Sequence, residues 1–268
     1  MVVRRPAVAN QFYPGDPHRL HYEIGRLMGD PTGEERARAV VAPHAGYVYS
    51  GHVAGTAYSR VHIPELCIIL GPNHTGFGAD IAVMANGVWE MPFGEVPIAS
   101  DLAAQILTHC PSAENDVEAH IYEHSLEVQV PFLQYKQKRL KIVPICLSRL
   151  SYEDCRSLGL AIGKVIAKYP HDVLIVSSTD MTHYESRAEA EKKDRLAIER
   201  IMALDPEGLY DTVLAYGITM CGFIPTVVTM IASLALGAVQ AEFVKYATSG
   251  DITGDFRQVV GYSAIIIK

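Results

Sequence analysis

Three apolar, strand-like runs in this sequence end at turns that carry a histidine, and this pattern constrains the fold more than any other. The runs, each with the histidine that follows it, are 39–42 with His44, 67–70 with His74, and 173–177 with His183. In an open α/β sheet, the loops beyond the carboxyl ends of the strands converge on one crevice, so residues distant in sequence meet there. The pattern therefore predicts a catalytic or metal pocket at one edge of an α/β sheet.

Short segments rich in Val and Ile alternate with amphipathic segments along the chain. Strands are predicted at 39–42, 67–70, 81–84, 142–147, 173–177, 242–246 and 262–267, and helices at 101–110, 152–168, 186–204, 206–216 and 226–236. Ser100 is the expected cap of the first helix, and Ser151 with Asp154 forms a capping box for the second. This alternation favours a mixed, mainly parallel central sheet with helices on both faces.

One segment breaks this alternation. Residues 84–98 contain the turn dipeptide Asn86-Gly87 followed by closely spaced Pro and Gly residues. Such a dipeptide is typical of a hairpin, so we expect an antiparallel excursion at the rim of the pocket.

Size and charge limit the class of protein. A chain of 268 residues with 49% apolar and 20% charged residues can bury a large core, and we expect one domain over residues 1–268. The net charge of -7 comes without a basic block, which disfavours nucleic acids and anionic membranes as partners. The amino terminus lacks the apolar core of a signal peptide, so we expect a cytoplasmic protein.

The cysteines do not describe a disulfide framework. There are five, an odd number, with no C-x-x-C spacing, and Cys67 and Cys146 lie inside apolar strand patterns as small core residues do. Cys221 instead precedes an apolar helical run, where the helix dipole would favour its thiolate as a metal ligand or a nucleophile. An inert buried cysteine is the alternative at this position.

His44 and His74 are the strongest metal-ligand candidates. Each follows a buried strand and a proline, and each is followed by glycines that let the backbone approach a bound group. Neutral imidazole is the commonest metal ligand, and two fixed imidazoles need only one or two further donors. The pattern predicts a shared metal site, although Pro and Gly also simply end strands.

Two further polar pairs are candidates for catalytic or supporting roles. Asp180 and His183 follow the third strand, where they would orient a ligand or move a proton. His124 and Glu127 lie one turn apart on a predicted helix that continues to Pro131, for which an exposed polar face is the alternative. The remaining histidines are expected at the surface: His18, His21, His62, His109, His120 and His171.

Taken together, five ordered motifs and the amino-terminal segment resemble the Memo family over nearly the whole chain. The motifs are Pro43-His44-Ala45-Gly46, Gly71-Pro72-Asn73-His74, Glu123-His124-Ser125-Leu126-Glu127, Ser177-Ser178-x-Asp180-x-x-His183 and Cys221-Gly222, after the opening Arg5-Pro6-Ala7-Val8. The resemblance implies the α/β fold of class III extradiol dioxygenases. It implies a metal site at His44, His74 and Cys221, with Asp180, His183, His124 and Glu127 as catalytic groups beside it.

The resemblance also implies a function. It suggests a redox-active iron or copper site, with zinc as another candidate, in a cytoplasmic oxidoreductase. A thiolate in place of the carboxylate of extradiol enzymes weakens any claim to ring cleavage. Members of the family often occur beside an AMMECR-type protein and a radical-SAM protein, which would be partners.

Two alternatives to a redox enzyme stay open from the sequence. The first is a non-catalytic module that binds a peptide or small molecule in a pocket lined by aromatic side chains such as Tyr47, Tyr49, Trp89 and Phe93. The second is a hydrolase that uses Cys221 or a zinc-bound water as its nucleophile.

Overall fold

A mixed central sheet with helices on both faces forms most of the molecule. The computed structural model describes residues 2–29 and 33–268. Its strands are β1 (Val3–Arg4), β2 (Ala39–Ala42), β3 (Leu66–Pro72), β4 (Ile81–Val83), β5 (Val88–Trp89), β6 (Val96–Pro97), β7 (Glu114–Asn115), β8 (Lys141–Leu147), β9 (Val173–Ser178), β10 (His183–Glu185), β11 (Ala241–Thr248) and β12 (Val259–Ile267).

The helices cover both faces of this sheet. They are α1 (Pro17–Met28), α2 (His52–Arg60), α3 (Ser100–His109), α4 (Glu118–Ile121), α5 (Val130–Lys136), α6 (Tyr152–Lys168), α7 (Arg187–Met202), α8 (Pro206–Ala215), α9 (Phe223–Ala235) and α10 (Gly250–Thr253). A π-helical turn at Tyr47–Gly51 precedes α2, and a 3₁₀ turn at Glu127–Gln129 precedes α5. Every helix of the described residues is too short or too polar to cross a membrane.

The centre of the sheet is parallel, and an antiparallel pair flanks it on each side. The strands follow the order β10-β12-β2-β9-β3-β8-β4-β7, and β11 pairs with β12. The pairs among β2, β9, β3 and β8 are parallel, whereas β4 runs antiparallel to β8 and β12 antiparallel to β2. The predicted mixed, mainly parallel sheet is therefore confirmed. The carboxyl ends of four neighbouring strands, at Ala42, Ser178, Pro72 and Leu147, lie along one edge.

Alternate strand residues face two separate cores. Val41, Ile68 and Ile175 pack with α3, α6 and α9 on one face, whereas the residues between them pack with α1, α2 and α5 on the other. Cys67 and Cys146 are fully buried in the second core, as predicted. Because both faces are covered, the strands are apolar throughout instead of alternating with polar residues.

The helix starts follow the sequence except at α3. Ser151 and Asp154 form the predicted capping box of α6, with each side chain bonded to the backbone of the other residue. At α3, however, Ser100 is the first helical residue, and Ala99 occupies the cap position without a side-chain bond. The predicted Ser100 cap is therefore wrong.

The excursion at residues 84–98 is antiparallel, as predicted, but it lies away from the pocket. Strands β5 and β6 pair antiparallel and join β1 in a second, three-stranded sheet. Trp89 of this sheet is fully buried, beneath the Arg4 guanidinium at 4.4 Å. The expectation that this segment forms the rim of the pocket is wrong, since it lines no part of the cavity described below.

His120 is a buried core residue, and its predicted surface position is wrong. Its Nε2–H donates to the carbonyl of Ala82 at 3.1 Å, while its own carbonyl accepts from Arg4 Nε at 3.0 Å. Burial lowers the pKa of His120 to about 4, so the ring is neutral. The single-turn helix α4 carries too few residues to reveal by periodicity which of its side chains face inward.

Candidate metal centre

His44 projects from the loop after β2 and is held there by Asp180. The Asp180 Oδ1 atom accepts hydrogen bonds from the backbone N–H groups of His44, at 2.8 Å, and Ala45, at 3.3 Å. The imidazole is 2% exposed, and burial lowers its pKa well below the ordinary value. His44 is therefore a neutral imidazole on a fixed loop.

The hydroxyl of Ser178 fixes which nitrogen of His44 carries the proton. Ser178 Oγ donates to the carbonyl of Ser125 at 2.6 Å and accepts from Gln129 Nε2 at 2.8 Å. Its proton is thereby committed, so it can only accept at the 2.9 Å contact with His44 Nδ1. The Gln129 amide is itself oriented, because its Oε1 accepts from the hydroxyl of Tyr58. The Nε2 atom of His44 is left unprotonated, as a metal ligand must be.

A carboxylate fixes His74 in the same tautomer. Glu123 Oε1 lies 2.9 Å from His74 Nδ1, while Oε2 accepts from the His74 backbone N–H at 2.6 Å. Burial by itself would raise the pKa of Glu123, but the hydrogen bonds from His74 and Ser125 hold it at about 2. Because an ionised carboxylate only accepts, His74 donates from Nδ1, so Nε2 is the nitrogen that remains available to a metal ion. Such a carboxylate–histidine pair typically orients a metal ligand.

Cys221 lies two residues before α9, and its thiol lies beside the imidazole of His44. Its Sγ atom is 3.3 Å from His44 Nε2 and accepts from the backbone N–H of Asp180 at 3.3 Å. The next residue must be glycine, because a Cβ at position 222 would lie 2.3 Å from the carbonyl oxygen of Ser178. The loop is thereby pressed against the end of β9.

The thiol of Cys221 is not activated by the helix dipole, contrary to expectation. Burial raises the pKa of Cys221, and the nearby Asp180 carboxylate raises it further. Both effects favour the protonated thiol, which has the Nε2 atom of His44 at 3.3 Å and the carbonyl oxygen of Asp180 at 3.6 Å as acceptors. This state argues against Cys221 as a free thiolate nucleophile, whereas a metal ion would displace the proton.

The three predicted donors converge. One ligand atom from each of His44, His74 and Cys221 lies within 4.8 Å of the other two. Metal–nitrogen and metal–sulfur bonds are about 2.0–2.3 Å long, so ligand atoms around one ion lie roughly 3–4 Å apart. Two imidazole nitrogens and a sulfur at this spacing fit a borderline or soft metal ion.

His124 lies in the same cluster, although it does not lie on a helix as predicted. Its ring stacks on His74 at 4.6 Å between centroids and lies 5.4 Å from His44. With His74 and Glu123, it forms a second group of donors within 4.8 Å. The predicted helix from His124 to Pro131 is wrong, because His124 lies in a turn and the helical residues begin at Glu127.

Glu127 is a structural residue, which corrects the expectation of a catalytic role. One carboxylate oxygen accepts from Arg4 and from the N–H of Ala7, and the other from Tyr13 and the N–H of Val8. Both Arg4 and Glu127 are fully buried. Every acceptor position of this carboxylate is therefore occupied by the amino-terminal segment.

Asp180 and His183 flank the cluster. Besides its bonds to the His44 loop, Asp180 has a pKa raised to about 6, chiefly by burial. His183 donates from Nδ1 to the carbonyl of Thr219 at 2.9 Å. Their roles in proton movement stay predictions, whereas the position of Asp180 assigns it to holding the His44 loop.

A cavity of about 850 Å³ opens beside the cluster, and His74 and Cys221 form part of its wall. Most of the remaining wall is apolar and comes from α8, the start of α9 and the loop between them. The aromatic lining predicted from the sequence is wrong. Tyr47 and Trp89 are buried in the core, and neither Tyr49 nor Phe93 is among the described residues that line this cavity.

Glu123 provides a prediction that the sequence did not suggest. We expect Glu123→Gln to lower metal affinity by roughly 10–100-fold, because the neutral amide orients His74 but no longer raises its basicity. Competition with a chromophoric chelator measures the change. Glu118→Gln, at an exposed position five residues earlier, is the matched control and should leave affinity unchanged. Equal affinity of the two variants would contradict the orienting role.

Known proteins are similar in sequence to this chain over nearly its whole length. The family described as Memo-like protein matches residues 4–266. A MEMO1 family protein of Methanopyrus kandleri is 44% identical over 279 residues, and one of Aquifex aeolicus is 45% identical over 268 residues; both alignments cover 99% of each chain.

Among solved structures, the crystal structure of uncharacterized protein JW3007 from Escherichia coli K12 has a TM-score of 0.57. It is 12% identical in sequence, and the match covers 86% of this chain and 100% of that one. This likeness concerns the fold alone, and it is consistent with the predicted dioxygenase-like α/β fold.

Proposed function

Because this chain belongs to the Memo-like protein family, we propose that it binds a redox-active iron or copper ion through His44, His74 and Cys221. The observation that carries the proposal is the convergence of these donors within 4.8 Å from three separate loops. The contacts with Ser178 and Glu123 add support, since they occupy Nδ1 of both imidazoles and leave Nε2 of each for a metal ion.

The donor set supports the proposed choice of metal. Imidazole suits copper, iron and zinc alike, and a thiolate favours the softer of these ions. A bound iron or copper ion would supply one-electron chemistry at the wall of the cavity. Ring cleavage is not part of the proposal, because the set lacks the carboxylate of the extradiol iron sites.

The protein's own residues would prepare this site for the ion. Cys221 must release its proton to become a ligand, so binding is coupled to deprotonation. Asp180 holds the His44 loop through two backbone N–H groups, which limits the rearrangement that binding requires. His183, whose Nδ1 is held by the carbonyl of Thr219, is the proposed group for passing protons to solvent.

A non-catalytic module that binds a small molecule is the second candidate. The 850 Å³ cavity beside the cluster favours it, because this volume is typical of small-molecule sites. Oxygen consumption by the metal-loaded chain separates the two candidates, since a binding module would show no turnover. A partnership with AMMECR-type and radical-SAM proteins stays a prediction.

The test of the proposal is a titration of the metal-free, full-length chain with Co²⁺, followed by elemental analysis of chain purified under anaerobic conditions. We expect one ion per chain, with a thiolate-to-cobalt absorption band that Cys221→Ser removes. Cys155→Ser, at a buried cysteine of α6, should keep the band. A band that survives Cys221→Ser would contradict the ligand set, and anaerobic chain loaded with zinc alone would contradict the redox metal.

A further inference from the structure

Among the described residues that line the cavity beside the cluster, Arg149 carries the single permanent charge. None of the others in that part of the chain is acidic or a lysine. The chain as a whole has 30 acidic and 23 basic residues, with a net charge of -7. An acid-free wall with one guanidinium therefore differs from the average surface of this protein.

The fold places Arg149 at the same edge of the sheet as the donors. It lies two residues after the end of β8, whose last residue, Leu147, is in register with Pro72 at the end of β3. The Asn73 backbone N–H donates to the carbonyl of Leu147 at 2.8 Å, which joins the loop of His74 to the segment that carries Arg149. Arg149 thus borders the same cavity as His74 and Cys221.

Arg149 has no competing partner in this position. Its side chain is exposed, and no carboxylate of residues 2–29 or 33–268 forms a salt bridge with it. A guanidinium presents several N–H donors in a planar fork, which matches the two oxygens of a carboxylate. Its donors are therefore available to a ligand.

Apolar side chains form much of the rest of the cavity wall. Val213 and Leu214 of α8, Ile218 and Met220 of the following loop, and Phe223 at the start of α9 line it. Apolar walls with a few placed polar groups are typical of small-molecule sites, in which the polar groups fix the orientation of the ligand. A ligand that contacts both Arg149 and these apolar side chains has an apolar body and one anionic end.

From this arrangement we infer that the cavity binds a small organic acid, with its carboxylate on Arg149 and its apolar body against the α8–α9 loop beside His74 and Cys221. The inference rests on the proposed function, because the cavity holds a substrate only if the adjacent cluster is the reacting centre. Binding of the acid through Arg149 can nevertheless be measured independently of the metal.

Three probes of one shape test this charge preference: 3-phenylpropionate, 3-phenylpropanamide and 3-phenylpropylamine. Each is titrated into full-length chain with ¹³C-methyl-labelled methionine, and the shift of Met220 in the cavity wall reports binding. In chain freed of metal with a chelator, we expect the carboxylate to bind at least about tenfold more tightly than the amide or the amine.

Arg149→Gln should reduce carboxylate affinity to that of the amide, while Arg156→Gln, at an exposed arginine of α6, should not. Leu214→Glu, at an exposed position of the wall, should weaken carboxylate binding relative to Leu214→Gln. These pairs keep the test independent of any loss of folding in one variant.

Several results would overturn the inference. They are equal affinity for the carboxylate and the amide, a preference that persists in Arg149→Gln, a preference that appears only with metal bound, and no Met220 shift with any probe. Metal content is measured on the same samples. A chain that prefers the acid but binds no metal contradicts the proposed function alone, and a metal-loaded chain without the preference contradicts only this inference.

Discussion

The double substitution His44→Ala with His74→Ala is expected to abolish stoichiometric metal binding while the chain stays folded. Structural zinc sites contribute about 10–16 kcal/mol of binding free energy. Losing two of three protein donors should therefore cost about 5 kcal/mol or more, which is several thousandfold in affinity. Elemental analysis after dialysis, with a Co²⁺ titration of the same variant, measures the loss.

The fold should survive because the partners of both imidazoles keep other bonds. Ser178 still bonds to Ser125 and Gln129, and Glu123 still accepts from two backbone N–H groups. The matched control is His18→Ala with His171→Ala, which removes two exposed histidines and should leave metal content unchanged. Unchanged metal content in the His44/His74 variant would reject the proposed ligands.

Replacing Glu127 with alanine is expected to destabilise the fold by about 3–5 kcal/mol. The substitution leaves the buried Arg4 guanidinium without its counter-charge, and it leaves Tyr13 and the N–H groups of Ala7 and Val8 without an acceptor. Urea unfolding followed by circular dichroism measures the free energy of unfolding.

Glu153→Ala provides the surface control. It breaks an exposed pair with Arg156 on α6 and should change the free energy of unfolding by less than about 0.5 kcal/mol. Arg4→Met combined with Glu127→Met should recover part of the loss, since neither charge then remains buried alone. A loss below about 1 kcal/mol in Glu127→Ala would contradict the structural role of this ion pair.

The same ion pair connects the amino-terminal segment to the cluster. Arg4 Nη2 donates to the carbonyl of Glu123 at 2.6 Å, and Glu123 orients His74. The rings of Phe12 and His124 lie 5.0 Å apart between centroids. The carbonyl of Phe12 accepts from the N–H of Tyr47 in the segment after His44. The amino-terminal segment therefore packs on the loop that carries His44 and on Glu123 and His124 beside His74.

Much of the fold was predictable because its rules are local. A capping box such as Ser151 with Asp154 lies within four residues, and a buried parallel strand such as 39–42 is a short apolar run ended by a turn. Helix α1 was missed, although Asp16 caps it, Pro17 opens it, and its apolar residues Leu20, Ile24, Leu27 and Met28 recur at helical spacing. These local features define elements without stating what packs on them.

The site was predictable to the extent that topology brings strand ends together. His44 and His74 follow β2 and β3, two parallel strands on either side of β9, so their convergence follows from their positions after strand ends. Glu123, Ser178 and Gln129 were not assigned roles, because their bonds depend on side-chain directions across distant segments. His120 and Glu127 were misplaced for the same reason, since a polar residue in a short helical turn gives no sign of the partner that buries it.

The long separation of the donors along the chain has a consequence for biosynthesis. His44 precedes Cys221 by 177 positions. At a translation rate of about 5–20 residues per second, the ribosome needs roughly 10–35 s to extend the chain from His44 to Cys221. An ion captured by the nascent polypeptide in that interval would lack the thiolate, so the complete triad can be loaded only after residue 221 has been added to the chain.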